Sequence, residues 1–406
     1  MKLKGMVHIG MTVVAAGWIA AVPSLALDAV DWPQFRGPDR DGISKDTRWN
    51  PGALNKGATI LWTAKVGNGY SAVSVLGDRV FTAGNEGNKD TIFALSSKDG
   101  KVLWKYSYPC QGGSYPGPRA TPATDGKVVY FMSREGLVLC LDAGTGEVKW
   151  KKSVMTEFGA ENLGWGLSGS PVIEGDKLLL NAGEYGIVLN RNTGVKIWAS
   201  PAGTGGYAAP VVFNNGKTRC LAVFSQKELA VVELATGRKL GAFPWETSYD
   251  VNASDPVAHD GRIFIASGYG KGCAVIDARE APLKQVWVNK AMRSQFSSCV
   301  LIDGFLYGID GNYGNGTLKC LEFATGQVKW EEQLGFGALT AVGGNLVMIN
   351  EDGDVFVVKA SPNGYALVSS AKKVLKKTCW TSPVVCRGIL YCRNEKGHLV
   401  AVDVRK

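Results

Sequence analysis

The feature that most constrains the fold is a phrase that recurs along most of the chain at a spacing of roughly 40–48 residues. Each copy reads as a short strand, a glycine turn, a second strand, a polar hairpin, a third strand, an Asx-x-x-Thr-Gly turn and a strand that carries Trp. The most regular copy runs from Ala120 to Trp150. Other copies end at Trp104, Trp198, Gly241 (where Trp is lost), Trp287 and Trp330. This period is typical of a propeller blade, so we expect an all-β chain folded as a β-propeller of four-stranded antiparallel blades.

The chemistry of the turn explains why the phrase repeats. The Asp142 side chain can accept hydrogen bonds from the backbone of its own turn, and Gly146 supplies the positive φ that a tight turn requires. Trp150 is large and apolar with a single N–H donor, which suits docking between neighbouring blades. The corresponding positions of other copies are taken by Trp62, Trp104, Trp198, Trp287, Glu322, Gly326 and Trp330.

The two ends of the chain together supply one more blade. The last copy stops after its third strand, near Asp403, and residues 59–62 at the start provide the missing Trp-bearing strand. Pairing these segments closes the ring and removes its exposed sheet edges. Seven complete copies and this shared one predict eight blades. Seven blades is the alternative, if the degenerate copy around residues 337–374 does not form a blade of its own.

The first 26 residues predict an export signal. Lys2 and Lys4 precede an apolar run and small residues follow it, so we expect cleavage after Ala26 and a periplasmic or secreted mature protein. An uncleaved membrane anchor is the alternative, because the apolar run is near the minimum spanning length. The other hydrophobic runs are too short to span a bilayer. The predicted organisation is a signal peptide at 1–26, an N-terminal extension packing on the propeller at 27–57, and the propeller at 58–406.

Charge and cysteine content exclude some classes of function. The formal net charge is +9, but the basic residues are scattered. Their one dense cluster, within residues 372–377, suits a solvated outer strand. Because no nucleic-acid-binding motif accompanies the charge, we expect no nucleic-acid partner. The nine Cys include no adjacent pair, and several lie inside strand patterns as small hydrophobes, so we expect few or no disulfides.

The repeated pattern A-x-D-x-x-T-G-x-x-x-W resembles the tryptophan-docking motif of pyrroloquinoline-quinone-type (PQQ-like) β-propellers. The best match is Cys140, Asp142, Thr145, Gly146 and Trp150. The resemblance covers about residues 58–406, and residues 31–38 resemble the lead-in of exported bacterial members, which we interpret as a lid strapped across the ring. The family includes quinone-dependent dehydrogenases of alcohols and sugars, and scaffolds such as the outer-membrane-assembly propeller lipoprotein. The motif therefore predicts the fold but not the function.

The chemistry that the resemblance implies for the dehydrogenases finds little support in these residues. Those members hold the quinone at the ring centre with a calcium-type ion, an Asp base and often a disulfide between adjacent Cys. No spacing of acidic residues indicates a metal site, and three His offer little material for a catalytic triad or a zinc site. We therefore expect no metal site, the residues assign no cofactor, and the sequence shows no evident catalytic site. A PQQ-dependent oxidoreductase with bound PQQ and calcium, in which Arg119 or Arg293 meets the quinone carboxylates, is the alternative.

A binding site is expected on the face that carries the blade-to-blade connections and the hairpins between second and third strands, because these loops vary most. Their aromatic, Arg and carboxylate side chains suit a planar or sugar-like ligand, or a peptide. The candidate residues are Tyr115, Arg119, Glu161, Trp165, Tyr207, Tyr249, Asp250, Arg293, Gln295 and Trp380. The alternative is that these side chains pack against one another and the N-terminal segment and plug the channel.

Taken with the missing catalytic signatures, these patterns favour an exported binding or scaffold propeller. Its partner would be an envelope protein, or a small-molecule or glycan ligand. Two alternatives stay open: PQQ-dependent dehydrogenation of alcohols or sugars, and recognition of a glycan or peptide through the aromatic loops. The sequence does not indicate the oligomeric state.

Overall fold

The computed structural model describes residues 28–405, so the predicted signal peptide and its cleavage site lie outside the described residues. Eight antiparallel sheets of four strands form an eight-bladed β-propeller, as the repeat predicts. The chain between residues 337 and 371 forms a complete blade, so the seven-bladed alternative is wrong. No helix among residues 28–405 is long and apolar enough to cross a membrane.

The blades are numbered in chain order, with the strands of each given from the channel outwards. Blade 1 consists of Ser74–Leu76, Arg79–Glu86, Lys89–Ser96 and Val102–Pro109, and blade 2 of Ala123–Thr124, Val128–Met132, Leu137–Asp142 and Val148–Ser153. Blade 3 consists of Val172–Glu174, Lys177–Leu180, Ile187–Asn190 and Lys196–Ala199, and blade 4 of Val211–Asn215, Thr218–Phe224, Glu228–Glu233 and Lys239–Pro244. Blade 5 consists of Val257–His259, Arg262–Ser267, Gly272–Asp277 and Lys284–Asn289, and blade 6 of Val300–Ile302, Phe305–Asn312, Asn315–Glu322 and Val328–Glu332. Blade 7 consists of Gly337–Val342, Asn345–Asn350, Val355–Lys359 and Leu367–Ala371, and blade 8 of Val384–Cys386, Ile389–Arg393, His398–Asp403 and Thr59–Lys65.

The remaining elements are short. Ile43–Ser44 adds a parallel fifth strand to blade 7, and Ala160–Glu161 pairs in parallel with Gly203–Thr204. One α-helix, Val154–Phe158, and two 3-10 turns, Ala53–Lys56 and Ser248–Asp250, complete the secondary structure of the described residues.

The ring is closed by strands from both ends of the chain. Thr59–Lys65 pairs antiparallel with His398–Asp403, with Trp62 opposite Ala401. This is the closure that the truncated last copy predicts. It gives blade 8 its outer strand and leaves the third strand of that blade paired on both sides.

Each blade is buried on both faces against its neighbours. Phe81 and Ile92 of blade 1, for example, pack in one cluster with Phe131 and Leu139 of blade 2. The second and third strands therefore read as nearly continuous runs of apolar residues, because neither face of these strands meets water.

A tryptophan from the outer strand of one blade docks onto the turn of the next. Trp104 of blade 1 lies on Gly146 of blade 2, and its Nε1 donates a hydrogen bond to the carbonyl of Ala143 at 2.9 Å. A Cβ on Gly146 would approach the indole ring to 2.6 Å, so the position requires glycine for space as well as for its φ of +76°. Asp142 stabilises the turn by accepting from the backbone N–H groups of Gly144 and Thr145. The same indole-to-carbonyl bond is made by Trp62, Trp150, Trp198, Trp287 and Trp330 at 2.7–3.0 Å.

Two junctions lack the docking tryptophan and fill its place differently. At the blade 4 to blade 5 junction, the side chain of Leu283 lies over Gly241. Between blades 7 and 8, Ser369 takes the tryptophan position. There the 3-10 turn Ala53–Lys56 packs in, with Leu54 buried in the shared core. The N-terminal residues thus supply the apolar volume that the degenerate copy lacks.

Residues 28–58, which we call the N-terminal strap, cross the face that carries the tight turns between first and second strands. The backbones of Trp32 and Val75 exchange two hydrogen bonds of 2.7 and 2.8 Å at blade 1. Gln34 accepts from the backbone of blade 3, Arg36 donates to the Cys299 carbonyl before blade 6, and Ser44 donates to blade 8. The strap therefore spans the ring on one side of the channel.

Candidate functional site

On the opposite face, the blade-to-blade connections surround a cavity of about 260 Å³ at the mouth of the channel. Residues just before the innermost strands supply most of its wall, and hairpins of blades 5 and 6 supply the rest. The lining includes Phe35, Tyr70, Tyr115, Arg119, Trp165, Tyr207, Asp255, Tyr269, Gln295, Phe296, Tyr313, Trp380 and Thr381.

The wall contains two groups of aromatic side chains. The first surrounds Trp380, which stacks on Tyr70 with ring centres 5.7 Å apart and contacts Phe296 and Tyr313 at 5.2 and 6.0 Å. The second is the pair Trp165 and Tyr207, with ring centres 6.2 Å apart. Aromatic faces therefore line the cavity on the side of blades 6, 8 and 1 and on the side of blades 2–4.

The floor of the cavity combines the N-terminal strap with a buried carboxylate. Phe35 of the strap reaches the lining. Asp255, only 4% exposed, accepts a hydrogen bond from the backbone N–H of Ala209 at 2.8 Å through Oδ1. Its Oδ2 lies 3.9 Å from Nε of Arg36, beyond hydrogen-bonding distance. One carboxylate oxygen is therefore free to accept from a ligand.

Burial raises the pKa of Asp255 from its usual value near 3.8 to about 6, while Arg36 and the Ala209 N–H oppose the shift. The folded protein then binds this proton more tightly than the unfolded chain. The ionised group therefore costs stability above pH 6, and the cost disappears as the pH falls towards 4.

We expect Asp255→Asn to be more stable than the wild type by up to about 3 kcal/mol at pH 7.5, with the difference shrinking towards zero at pH 4. Urea unfolding of both proteins across this range measures the difference. Asp403→Asn is the control, because its partner Arg405 lowers the pKa of Asp403 and removal of that carboxylate brings no gain. A difference in unfolding free energy between Asp255→Asn and the wild type that does not change with pH would contradict the raised pKa of Asp255.

The rim of the cavity carries tyrosines in a strained backbone conformation. Tyr115, Tyr249 and Tyr269 have φ of 55°, 64° and 52°, a region that is uncommon for large side chains. Tyr249 is 71% exposed and contacts Tyr269 edge-on at 5.2 Å. Strained residues held in place by their surroundings concentrate at functional sites.

Arg119 is the one cation among the described lining residues. Its guanidinium donates to the carbonyls of Gly117 and Tyr115 and lies 5.7 Å from the centre of the Tyr70 ring. Burial lowers the pKa of Arg119 to about 10, so the group stays charged at neutral pH.

Six of the ten candidates from the sequence lie in the cavity lining: Tyr115, Arg119, Trp165, Tyr207, Gln295 and Trp380. The other four do not. Glu161 is exposed in the short parallel ribbon, and Tyr249 lies on the rim. Asp250 accepts from the Gln226 amide at 2.8 Å. Arg293 is paired with Asp310 at 2.7 Å, which leaves it unavailable to a ligand in the cavity.

Sequence reasoning did not assign Phe35, Tyr70, Asp255, Phe296 or Thr381 to the site. All except Phe35 directly precede innermost strands, so their position in the repeat was a usable signal. Phe35 belongs to the strap, and only the folded structure brings it beneath the opposite face.

The lining does not fit a calcium–quinone pair. Calcium takes six to eight oxygen ligands, several of them carboxylates, and Asp255 is the one carboxylate among the described residues of the lining. Residues 28–405 contain no group of three or more His, Cys, Asp or Glu that could hold a metal. All nine Cys are buried as free thiols.

Comparison with known proteins agrees with this architecture. A family model described as outer membrane protein assembly factor BamB matches residues 53–212 and 111–332. BamB of Yersinia pestis is 23% identical over 315 residues, covering 73% of this chain and 77% of that protein. A quinoprotein ethanol dehydrogenase of Pseudomonas putida is 27% identical over 183 residues, covering 38% of this chain and 28% of that protein.

Two solved structures share the fold at low identity. BamB from Moraxella catarrhalis superposes with a TM-score of 0.64 at 16% identity, covering 85% of this chain and 99% of that one. A quinohemoprotein alcohol dehydrogenase from Comamonas testosteroni gives 0.70 at 13% identity, covering 93% and 81%. Since the family model spans more than half of the sequence, the chain belongs to the PQQ-like β-propeller repeat family of outer membrane protein assembly factor BamB.

Proposed function

We propose that this protein is a non-catalytic binding propeller of the bacterial cell envelope, with the aromatic cavity and its tyrosine rim as the recognition surface. The observation that carries the proposal is the cavity itself. Side chains from most of the blade-to-blade connections converge on one concave, mostly apolar space rich in aromatic rings, which is the usual character of a ligand site.

The polar groups of the cavity support binding rather than catalysis. Asp255 is the one carboxylate of the described lining, and Arg119 is held by carbonyls of its own loop. Neither is hydrogen-bonded to a side chain that would activate it as a base or a nucleophile. The poor fit to a calcium–quinone pair removes the support for PQQ-dependent dehydrogenation.

The placement in the envelope has two supports. Residues 1–26 have the pattern of an export signal, and the relatives that share most of this chain's length are named as factors of outer-membrane protein assembly. A partner within the envelope is therefore part of the proposal.

Trp165→Ala tests this function. A central aromatic residue of a binding surface contributes about 2 kcal/mol or more, so we expect a loss of affinity of ~30-fold or more for envelope components. Biolayer interferometry with the immobilised mature protein and a detergent-solubilised envelope fraction of the producing bacterium measures it. A melting curve checks that the variant is folded.

Tyr106→Ala is the matched control, because Tyr106 is a half-buried aromatic residue on the outer strand of blade 1, outside the cavity lining. The control should retain the affinity of the wild type. Equal affinities of the two variants would show that binding, if any, occurs elsewhere.

A further inference from the structure

We infer that the cavity binds one neutral pyranose ring, presented as the terminal sugar of an envelope glycan. This assignment rests on the proposed binding function and names the class of ligand.

The aromatic walls match the faces of a sugar ring. A pyranose has flat C–H faces and a hydroxylated edge, and its faces pack on aromatic rings. The Trp165–Tyr207 pair and the Trp380 group lie in the same cavity but come from different blades. Tyr and Trp also bring a polar atom to an otherwise apolar wall. A ring held by these walls would direct its hydroxyl groups towards the polar residues of the lining.

Those polar residues have spare hydrogen-bonding capacity. Oδ2 of Asp255 has no donor within hydrogen-bonding distance in the described residues. The Thr381 hydroxyl and Oε1 of Gln295 are buried without a hydrogen-bond partner there, although both residues are only 4% exposed. Unpaired buried polar atoms are rare and costly, so they need an explanation. A hydroxyl group both donates and accepts, which matches this mixture of amide, hydroxyl and carboxylate.

The charges of the cavity favour a neutral ligand. Arg36 lies 3.9 Å from the Asp255 carboxylate and balances it, and Arg119 adds a second positive charge to the wall. A cationic ligand would meet the positive charge of Arg119 in the wall, and the carboxylate that could attract it is already balanced by Arg36. An anion placed on the floor would meet the buried carboxylate directly. A neutral polyhydroxylated ring avoids both penalties.

The size of the cavity limits the ligand to one ring. Its volume of about 260 Å³ is below the range of ~300–1,000 Å³ that is usual for drug-sized ligands. Further sugars of a glycan would lie outside it, against the exposed ring of Tyr249 on the rim.

Titration with methyl glycosides tests the assignment. The probes are the methyl pyranosides of glucose, galactose, mannose and N-acetylglucosamine, with choline as the cationic probe and acetate as the anionic one. Tryptophan fluorescence and saturation-transfer NMR on the mature protein measure binding at pH 7.5. We expect at least one glycoside to saturate with a dissociation constant near or below ~1 mM, and neither ion to bind in the cavity.

Thr381→Val and Asp255→Asn separate a ligand-binding role from a structural one. Each should weaken glycoside binding about tenfold or more while leaving the melting temperature unchanged or raised. The Thr381 hydroxyl has no hydrogen-bond partner to lose, and the amide oxygen of asparagine at position 255 can still accept from the Ala209 N–H. Tyr106→Ala should bind like the wild type. Wild-type affinity in both cavity variants would overturn the assignment.

Two further results would also overturn it: binding of choline or acetate without any glycoside, and binding of no probe. Either failure is distinguishable from failure of the proposed function. If Trp165→Ala binds the envelope components more weakly than the wild type, the binding function stands and only the sugar assignment is wrong. If Trp165→Ala binds the envelope components as tightly as the wild type, the proposed function is wrong as well.

Discussion

Trp198→Ala is expected to lower the free energy of unfolding by about 3–5 kcal/mol, the range for a buried tryptophan truncated in a packed core. The indole is 8% exposed and lies between blades 3 and 4, among Leu179, Val188 and Leu221. Its Nε1 donates to the carbonyl of Leu234 at 2.9 Å. The neighbouring Gly237 has a φ of +77° and no side chain that could fill the space left behind.

Urea unfolding followed by circular dichroism measures this loss. Trp198→Phe is the matched control, because it keeps most of the ring and removes the N–H, so it should cost much less than the truncation. If Trp198→Ala unfolded within about 1 kcal/mol of the wild type, the docking tryptophan would not be what joins these two blades.

Arg393→Met should have a comparable effect, about 3–5 kcal/mol, for a different reason. Arg393 is 1% exposed on the second strand of blade 8. Its guanidinium donates to the carbonyls of Gly67, Ser71 and Ala83 and to the Thr82 hydroxyl, all in or before blade 1. Methionine fills a similar volume but removes these four hydrogen bonds from the junction where the ring closes. The Ser71 carbonyl keeps only a longer bond of 3.4 Å from the Thr82 hydroxyl.

Burial lowers the pKa of Arg393 to about 9, so the side chain is still charged at neutral pH. Arg405→Met is the control. Arg405 is exposed and pairs with Asp403 two residues away on the surface, so its loss should destabilise the protein far less than the loss of Arg393. Equal unfolding free energies for the two variants would show that the buried contacts of Arg393 contribute little to closure of the ring.

The fold was predictable because each copy of the repeat contains the residues that form its turn and dock it on the next blade. The Asp142–Gly146 turn and the docking Trp recur at a fixed period, and the tryptophan of residues 59–62 finds its partner strand at the other end of the chain. The blade at residues 337–371 lacks Trp at its outer strand, so its sequence alone left the count open. Leu54 of the strap fills that junction, a contact that no local pattern encodes.

The site was only partly predictable, because a connection's place in the repeat does not determine the direction of each side chain. Gln295 lines the cavity, whereas Arg293, two residues earlier, is held by Asp310 on the neighbouring hairpin. Tyr249 and Asp250 both have positive φ in a 3-10 turn, and neither lines the cavity. The charge of Asp255 is balanced by Arg36, which belongs to the strap on the other face of the ring, so the sequence around Asp255 does not reveal this pair.

The N-terminal strap contacts both the candidate site and the blades on either side of the point where the ring closes. Phe35 forms part of the cavity floor, while residues 31–44 of the same segment contact blades 1, 3, 7 and 8. A ligand that stabilises Phe35 and Asp255 should therefore raise the melting temperature of the whole propeller.

Photo-crosslinking from the rim tests the central claim, that the aromatic mouth is the recognition surface. A photoreactive phenylalanine analogue would replace Tyr249 on the rim and, as control, Val195 beside the outer strand of blade 3, which is 62% exposed. After illumination of cells that export each variant, we expect a discrete crosslinked species from position 249, lost when Trp165→Ala is added, and none from position 195. The same products from both positions, or products only from position 195, would contradict the account.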